Sequence, residues 1–246
     1  MKKLVAYITS GYPEKNFNID LSFALAKSGV DTLELGIAFS DPVADGVIIE
    51  KANQIALKNG YRFSDTLDIT KAISKDIDTM WMGYFNSFYQ QDFKALMKKA
   101  KDIGISGFII PDLPYEEAKF YKDDLDSVGL SNITFVAPTD TKDRIELLVK
   151  DSSKFIYLVA YTGITGSGKS EDLSKIIHDI KTFSTTPVYV GFGVNAKTAK
   201  DKAKGADGVI VGSAFVEVLL DDTLSGTQKI DKCCEIAKAI KDKINS

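Results

Sequence analysis

The sequence predicts an α/β fold, a (β/α)8 TIM barrel with an inserted loop and an extra helix after the second strand. Eight short runs rich in β-branched and aromatic residues alternate with amphipathic stretches. Most strand-plus-helix units take roughly 25 to 35 residues, and the chain of 246 residues fits the about 250 that such a barrel occupies. Residues 1–246 are therefore expected to form one barrel domain.

The first strand is "LVAYIT" (4–9), followed by the helical pattern "NIDLSFALAKSG", whose closing glycine suits a helix C-terminus. The second is "DTLELGI" (31–37), where alternation puts Leu33, Leu35 and Ile37 on one face and Thr32, Glu34 and Gly36 on the other. The long connection "AFSDPVADGVIIEKANQIALKNG" precedes the helix "FSDTLDITKAISK", and the inserted loop and extra helix belong there. The remaining strands are "MWMGYF" (80–85), "GFIIPDL" (107–113), "ITFVAP" (133–138), "FIYLVAY" (155–161), "PVYVGFG" (187–193) and "GVIVGS" (208–213). Helical patterns such as "DFKALMKKAKDIG", "EEAKFYKDDLDSVG", "RIELLVKDSS" and "AKTAKDKAKG" lie between them. No domain linker or low-complexity tract interrupts this alternation.

Composition excludes several classes of function. With 44% hydrophobic residues the chain can build a sizeable core, which argues against disorder. A net charge of -3 offers no basic field for nucleic acid. No apolar run reaches the roughly 18 residues needed to span a bilayer, so no membrane association and a cytoplasmic location are expected. Cys233 and Cys234 are adjacent, a spacing that suits neither an ordinary disulfide nor zinc, and read as small helix residues. The single histidine, His178, reads as a solvated helix position, and no metal site is expected.

"YTGITGSGKSED" (161–172) contains a match to GxxxxGK[ST] from Gly163 to Ser170. In nucleotide hydrolases that motif follows the first strand of an open sheet, whereas here it follows the sixth strand. A Gly-rich lid over the barrel mouth is the preferred reading, and a nucleotide-binding protein stays as an alternative. Barrels of this class frequently hold phosphate in the loops after strands seven and eight. Gly191 and Gly193 follow the seventh strand, and Gly212 and Ser213 the eighth. One face of the second strand meets the helices and the other the barrel interior. A carboxylate such as Glu34 directed there is costly unless neutral or partnered, which function explains more readily than the alternative, a structural ion pair. "FSDPVADG" brings Asp41 and Asp45 over the same mouth, and two acids there suit general acid/base chemistry.

The combination "LELGIAFSDPVADG" with "GFGV" and "VGSAFV" resembles the tryptophan synthase α subunit family. The likeness extends through "AYITSGYP", "MGYFNSF", "IIPDLPYEE" and "YTGITG" to cover nearly the whole chain. It implies retro-aldol cleavage of indole-3-glycerol phosphate to indole and glyceraldehyde 3-phosphate, without a cofactor in this chain. By resemblance Glu34 shuttles the carbon and hydroxyl protons, and Asp45 accepts the indole N–H proton. Gly166, Gly193, Gly212 and Ser213 correspond to phosphate-binding positions. Tyr157 corresponds to a pocket tyrosine and Thr165 to a lid threonine, while Tyr7, Met82 and Ile109 wall the indole site. Asp41 and Asn86 fall at coupling or interface positions, and Asp112 is given no chemistry. The family also implies a pyridoxal-phosphate β subunit as partner, in an α2β2 heterotetramer. A free-standing lyase of the same fold, and a barrel that binds phosphate without catalysing, remain as alternatives.

The sequence departs from the family pattern at Ala38 and Val47, both usually proline, so a less preordered loop and looser coupling to β are expected. The lid lacks an arginine often found after "TG", with Lys169 nearby. The sequence starts directly before the first strand, where many members place a further helix, an expected cost to stability rather than catalysis.

Overall fold

The computed structural model describes residues 1–160 and 173–246. Strands β1 (Lys3–Thr9), β2 (Thr32–Gly36), β3 (Asp78–Met82), β4 (Ile105–Ile109), β5 (Ser131–Asn132), β6 (Thr134–Val136), β7 (Ile156–Val159), β8 (Val188–Gly191) and β9 (Gly208–Val211) form one sheet. Its order is β5-β4-β3-β2-β1-β9-β8-β7-β6, and every pair is parallel. The two end strands are consecutive in the chain, separated only by Ile133, so a single passage of backbone joins both ends of the sheet and brings it round into a (β/α)8 barrel.

That passage is where observation and expectation differ. The run "ITFVAP" is expected as one strand, but it begins at Ser131 and is split: β5 pairs with β4, and β6 pairs with β7. Between them the Ile133 N–H donates to the Phe108 carbonyl at 2.9 Å. Apolar periodicity reports burial along a run and carries no information about which neighbour each half pairs with.

The helices form the outer layer: α1 (Lys15–Lys27), α2 (Val47–Lys58), α3 (Phe63–Ile73), α4 (Phe85–Tyr89), α5 (Phe93–Asp102), α6 (Tyr115–Val128), α7 (Lys142–Val149), α8 (Ser174–Phe183), α9 (Ala199–Lys202), α10 (Ser213–Leu219) and α11 (Gly226–Ile244). The predicted extra helix is α2. α5 shows how sequence writes such an element: Phe93, Leu96, Met97 and Ala100 recur at helical spacing and are the buried face, while Lys99 and Lys101 occupy the last turn. α6 stops where Gly129 takes φ 67°, a left-handed conformation costly for a side-chain-bearing residue. α9 is shorter than "AKTAKDKAKG" suggests, because the Asn195 side chain accepts from the N–H groups of Lys197 and Thr198 and holds that segment in a turn. Cys233 is buried in α11 beside the half-buried Cys234, and His178 is exposed on α8.

Strand alternation decides what reaches the barrel interior. On β3, Trp81 points outward, its indole N–H donating to Thr70 Oγ1 of α3 at 2.8 Å with Phe63 edge-on. Met80 and Met82 therefore point the other way. β2 is buried along its whole length, as a parallel strand covered on both faces must be.

Candidate active site

A cavity of about 380 Å³ opens among the C-terminal halves of the strands. Tyr7 of β1 and Glu34 of β2 stand directly opposite each other in register, Met82 ends β3, and Tyr157 lies on β7. All four line the cavity, together with Asp45 from the loop after β2 and with Gly193, Gly212 and Ser213 from the loops after β8 and β9. One cavity thus collects eight of the residues singled out by sequence.

Glu34 is 3% exposed and has no hydrogen-bond or ion-pair partner among the described residues. Burial away from water, and then the negative charge of Asp45, push its carboxyl up to about 8. No structural ion pair among the described residues holds this group inside the barrel. Asp45 is half-buried, and burial raises its carboxyl to about 6, opposed by hydrogen bonds from Tyr84 and Asn53. The Asn53 Nδ2 donates to Asp45 Oδ2 at 3.2 Å. Near neutral pH, environment alone holds one acid mostly protonated and the other mostly ionised, the separation that acid/base catalysis needs.

Tyr84 organises the loop that carries Asp45. Its hydroxyl accepts from the Ala44 N–H at 2.9 Å, and its ring stacks on Phe39 with centroids 5.2 Å apart. The phenols of Tyr7 and Tyr157 are fully enclosed and raised well above their ordinary range, by burial foremost and then by the nearby carboxylates, so both stay neutral. Two glycines make room for these rings: a side-chain carbon on Gly36 would overlap Tyr7, and one on Gly191 would overlap Tyr157. Gly191, which reads in sequence as a phosphate signal, has this packing role. Gly193 lines the cavity with φ 67°.

The far end of the cavity is bounded by Gly193, Val194 and Asn195 and by Gly212, Ser213 and Ala214 at the start of α10. First-turn N–H groups lack intrahelical partners and suit an anion. No lysine or arginine lines the cavity among the described residues, and Glu217 adds a carboxylate on the rim.

Other expectations fall elsewhere. Ile109 is buried and pairs with Met82 in the sheet, but it does not line this cavity. Asp41 and Asn86 are exposed, Asp41 accepting from the Ser40 hydroxyl at 2.5 Å. Asp112 accepts from the Phe85 N–H at 2.8 Å and so anchors the start of α4. Thr165, Gly166 and Lys169 lie outside the described residues. Sequence reasoning passed over Asn53, Tyr84, Ile49 and Glu217. An asparagine inside the apolar pattern of α2 was the available signal for the first, whereas the others look like ordinary helix or strand residues.

Fold and site together define a (β/α)8 barrel of the enzyme class, with two carboxylates of split proton affinity and glycine-rich loops gathered at one mouth. The sequence profile of the tryptophan synthase alpha chain matches residues 1–245, and the chain belongs to that family. It is 53% identical to the tryptophan synthase alpha chain of Wolinella succinogenes over 247 aligned positions, covering 100% of this chain and 97% of that one. Among solved structures it resembles tryptophan synthase of Mycobacterium tuberculosis (TM-score 0.89, 32% identity, 100% of this chain and 93% of that chain covered). It also resembles the tryptophan synthase subunit alpha of Campylobacter jejuni (TM-score 0.87, 34% identity, 97% and 95% covered).

Proposed function

We propose that this chain cleaves indole-3-glycerol phosphate to indole and glyceraldehyde 3-phosphate, with Glu34 and Asp45 as the catalytic pair. The observation that carries the reading is the convergence of these two carboxylates, with opposite protonation at neutral pH, on one cavity that also presents the phosphate-type loops. Neutral Glu34 gives a proton to the indole carbon that bears the glycerol chain, and ionised Asp45 takes the ring N–H proton, which yields the indolenine. Glu34, now ionised, removes the proton of the adjacent glycerol hydroxyl. The carbon–carbon bond breaks as the aldehyde C=O forms, its electron pair restores the aromatic ring, and Asp45 returns the proton to nitrogen. Both acids end as they began.

Gly193, Gly212 and Ser213 bind the phosphate in this reading, with Gly166 of the lid. Tyr7, Met82 and Tyr157 wall the indole, and Thr165 acts from the lid. Residues 1–246 work as one barrel unit. Acid/base groups supply every proton transfer, so no cofactor is assigned to this chain, and pyridoxal phosphate belongs to a partner β subunit. That partner is proposed to dock over the segment after β2, where Val43 and Val47 are 83% and 79% exposed, with Asp41 and Asn86 at the contact. A cytoplasmic enzyme fits the absence, among the described residues, of any helix long and apolar enough to cross a membrane.

Indole release by the purified chain, alone and with a cognate β subunit, tests the reading. Slow release alone and strong stimulation by β support the coupled α subunit, and fast release alone assigns a free-standing lyase instead. No release in either condition overturns the proposal. Stimulation should increase in Ala38→Pro, and an unchanged ratio sinks the link between loop order and coupling.

A further inference from the structure

Asn53 lies on α2 one turn after the cavity-lining Ile49, 1% exposed, and its amide splits into two unlike ends. The Nδ2 donates to Asp45 Oδ2 at 3.2 Å, while the Oδ1 is buried with no hydrogen-bond partner among the described residues. An orphaned buried carbonyl oxygen is destabilising, and an apolar side chain of the same shape would avoid that cost. Stability alone therefore does not account for an asparagine between Ala52 and the turn that ends in Ala56, both buried. Its donor end does.

Besides Asn53, the Asp45 carboxylate has one other hydrogen-bond donor among the described residues, the Tyr84 hydroxyl. The loop from Ala38 to Gly46 contains no regular element, and Asp45 contributes a single long backbone bond, its N–H to the Pro42 carbonyl at 3.4 Å. Among the described residues, the groups that bear on its carboxylate are Glu34 from β2, Tyr7 from β1, Tyr157 from β7, Tyr84 from the segment before α4, and Glu50 from α2. Every one is acidic or a neutral phenol, and none is a cation. A lysine at position 53 would hold the carboxylate too firmly ionised for it to accept a proton usefully. A neutral amide orients it and favours the ionised form only modestly.

We infer that Asn53 is a positioning residue, which fixes the Asp45 carboxylate toward the cavity and keeps it ready to accept a proton. The inference rests on the proposed proton-accepting role of Asp45. It assigns a function to a side chain that touches no substrate and acts only through its neighbour.

The test uses the full chain with Asn53→Leu, which keeps the shape and loses the donor, and Asn53→Asp, which keeps the shape and replaces a donor by an acceptor. Two quantities are read: the titration of the Asp45 carboxyl by carbon NMR, identified by its loss in Asp45→Asn, and the pH dependence of kcat/KM. In Asn53→Leu both the titration and the acid limb should move up by about one pH unit. Cleavage should then fall about two-fold near pH 7 and about ten-fold near pH 5. Asn53→Asp should move both further in the same direction. The thermal midpoint of Asn53→Leu should not fall below wild type, since the orphaned oxygen is gone. A folded Asn53→Leu or Asn53→Asp in which Asp45 titrates as in wild type, with an unmoved acid limb, overturns the inference. Failure of the underlying reading has a different signature: Asp45→Asn would retain turnover, whatever Asn53 does to the titration.

Discussion

Replacing Glu34 by glutamine should abolish cleavage and, at the same time, stabilise the protein in a manner that depends on pH. In the folded chain the Glu34 carboxyl is raised from 4.5 to about 8, first by burial and second by the charge of Asp45. The folded state therefore holds a proton that the unfolded chain releases above about pH 4.5, and wild-type stability is lost as pH climbs from there to about 8. At about 1.4 kcal/mol per pH unit, the cost attached to this one group is under about 1 kcal/mol near pH 5 and at most roughly 5 kcal/mol near pH 9. Glutamine has the same shape and does not titrate, so any pH-independent cost of the amide cancels between conditions. Urea unfolding of both proteins at the two pH values should give a stability difference that shifts by up to about 4 kcal/mol in favour of Glu34→Gln at the higher pH. Parallel pH profiles for the two proteins would refute the claim that Glu34 is a desolvated acid. Substantial residual turnover in Glu34→Gln would remove it from the mechanism.

Since Glu34 must be protonated to donate and Asp45 ionised to accept, kcat/KM should rise through about pH 6 and decline through about pH 8. A flat profile across that window would contradict the assignment, as would an active Asp45→Asn. Gly191→Ala places a carbon inside the Tyr157 ring, which stacks on Phe135 at 4.9 Å, so a loss of about 1 to 3 kcal/mol and a raised KM are expected. Wild-type melting and KM would show that the ring moves freely. Val47 occupies the first position of α2, where proline's fixed φ is preorganised and no intrahelical N–H is sacrificed. Val47→Pro should raise stability by about 0.4 to 1 kcal/mol, and destabilisation in chemical unfolding would mean that this N–H or φ matters to the loop.

Much of the architecture was legible because it is written in local signals. "DTLELGI" alternates, and β2 duly presents Glu34 inward. Phe93, Leu96, Met97 and Ala100 recur at helical spacing, and they are the face α5 buries. Gly129 marks the end of α6 through a backbone requirement visible in one residue. The division of "ITFVAP" between two neighbours was not legible, since pairing depends on closure of the whole sheet. α4 was missed because five residues beginning at Phe85 are too few to show a period, and Asp112, distant in sequence, anchors its first N–H.

For the candidate site, sequence alone determined the cast: an inward carboxylate on the second strand, a second one in the loop after it, and glycine-rich loops at the seventh and eighth strands. Residue type and strand order suffice for that, because a barrel brings all strand ends to one mouth. Tertiary structure alone decided the chemistry of those residues. The proton affinities of Glu34 and Asp45 separate only once one is sealed from water and the other is held by Tyr84 and Asn53, groups 39 and 8 positions further along the chain. Desolvation and hydrogen bonding are properties of an enclosure, and no single segment of the chain contains the enclosure.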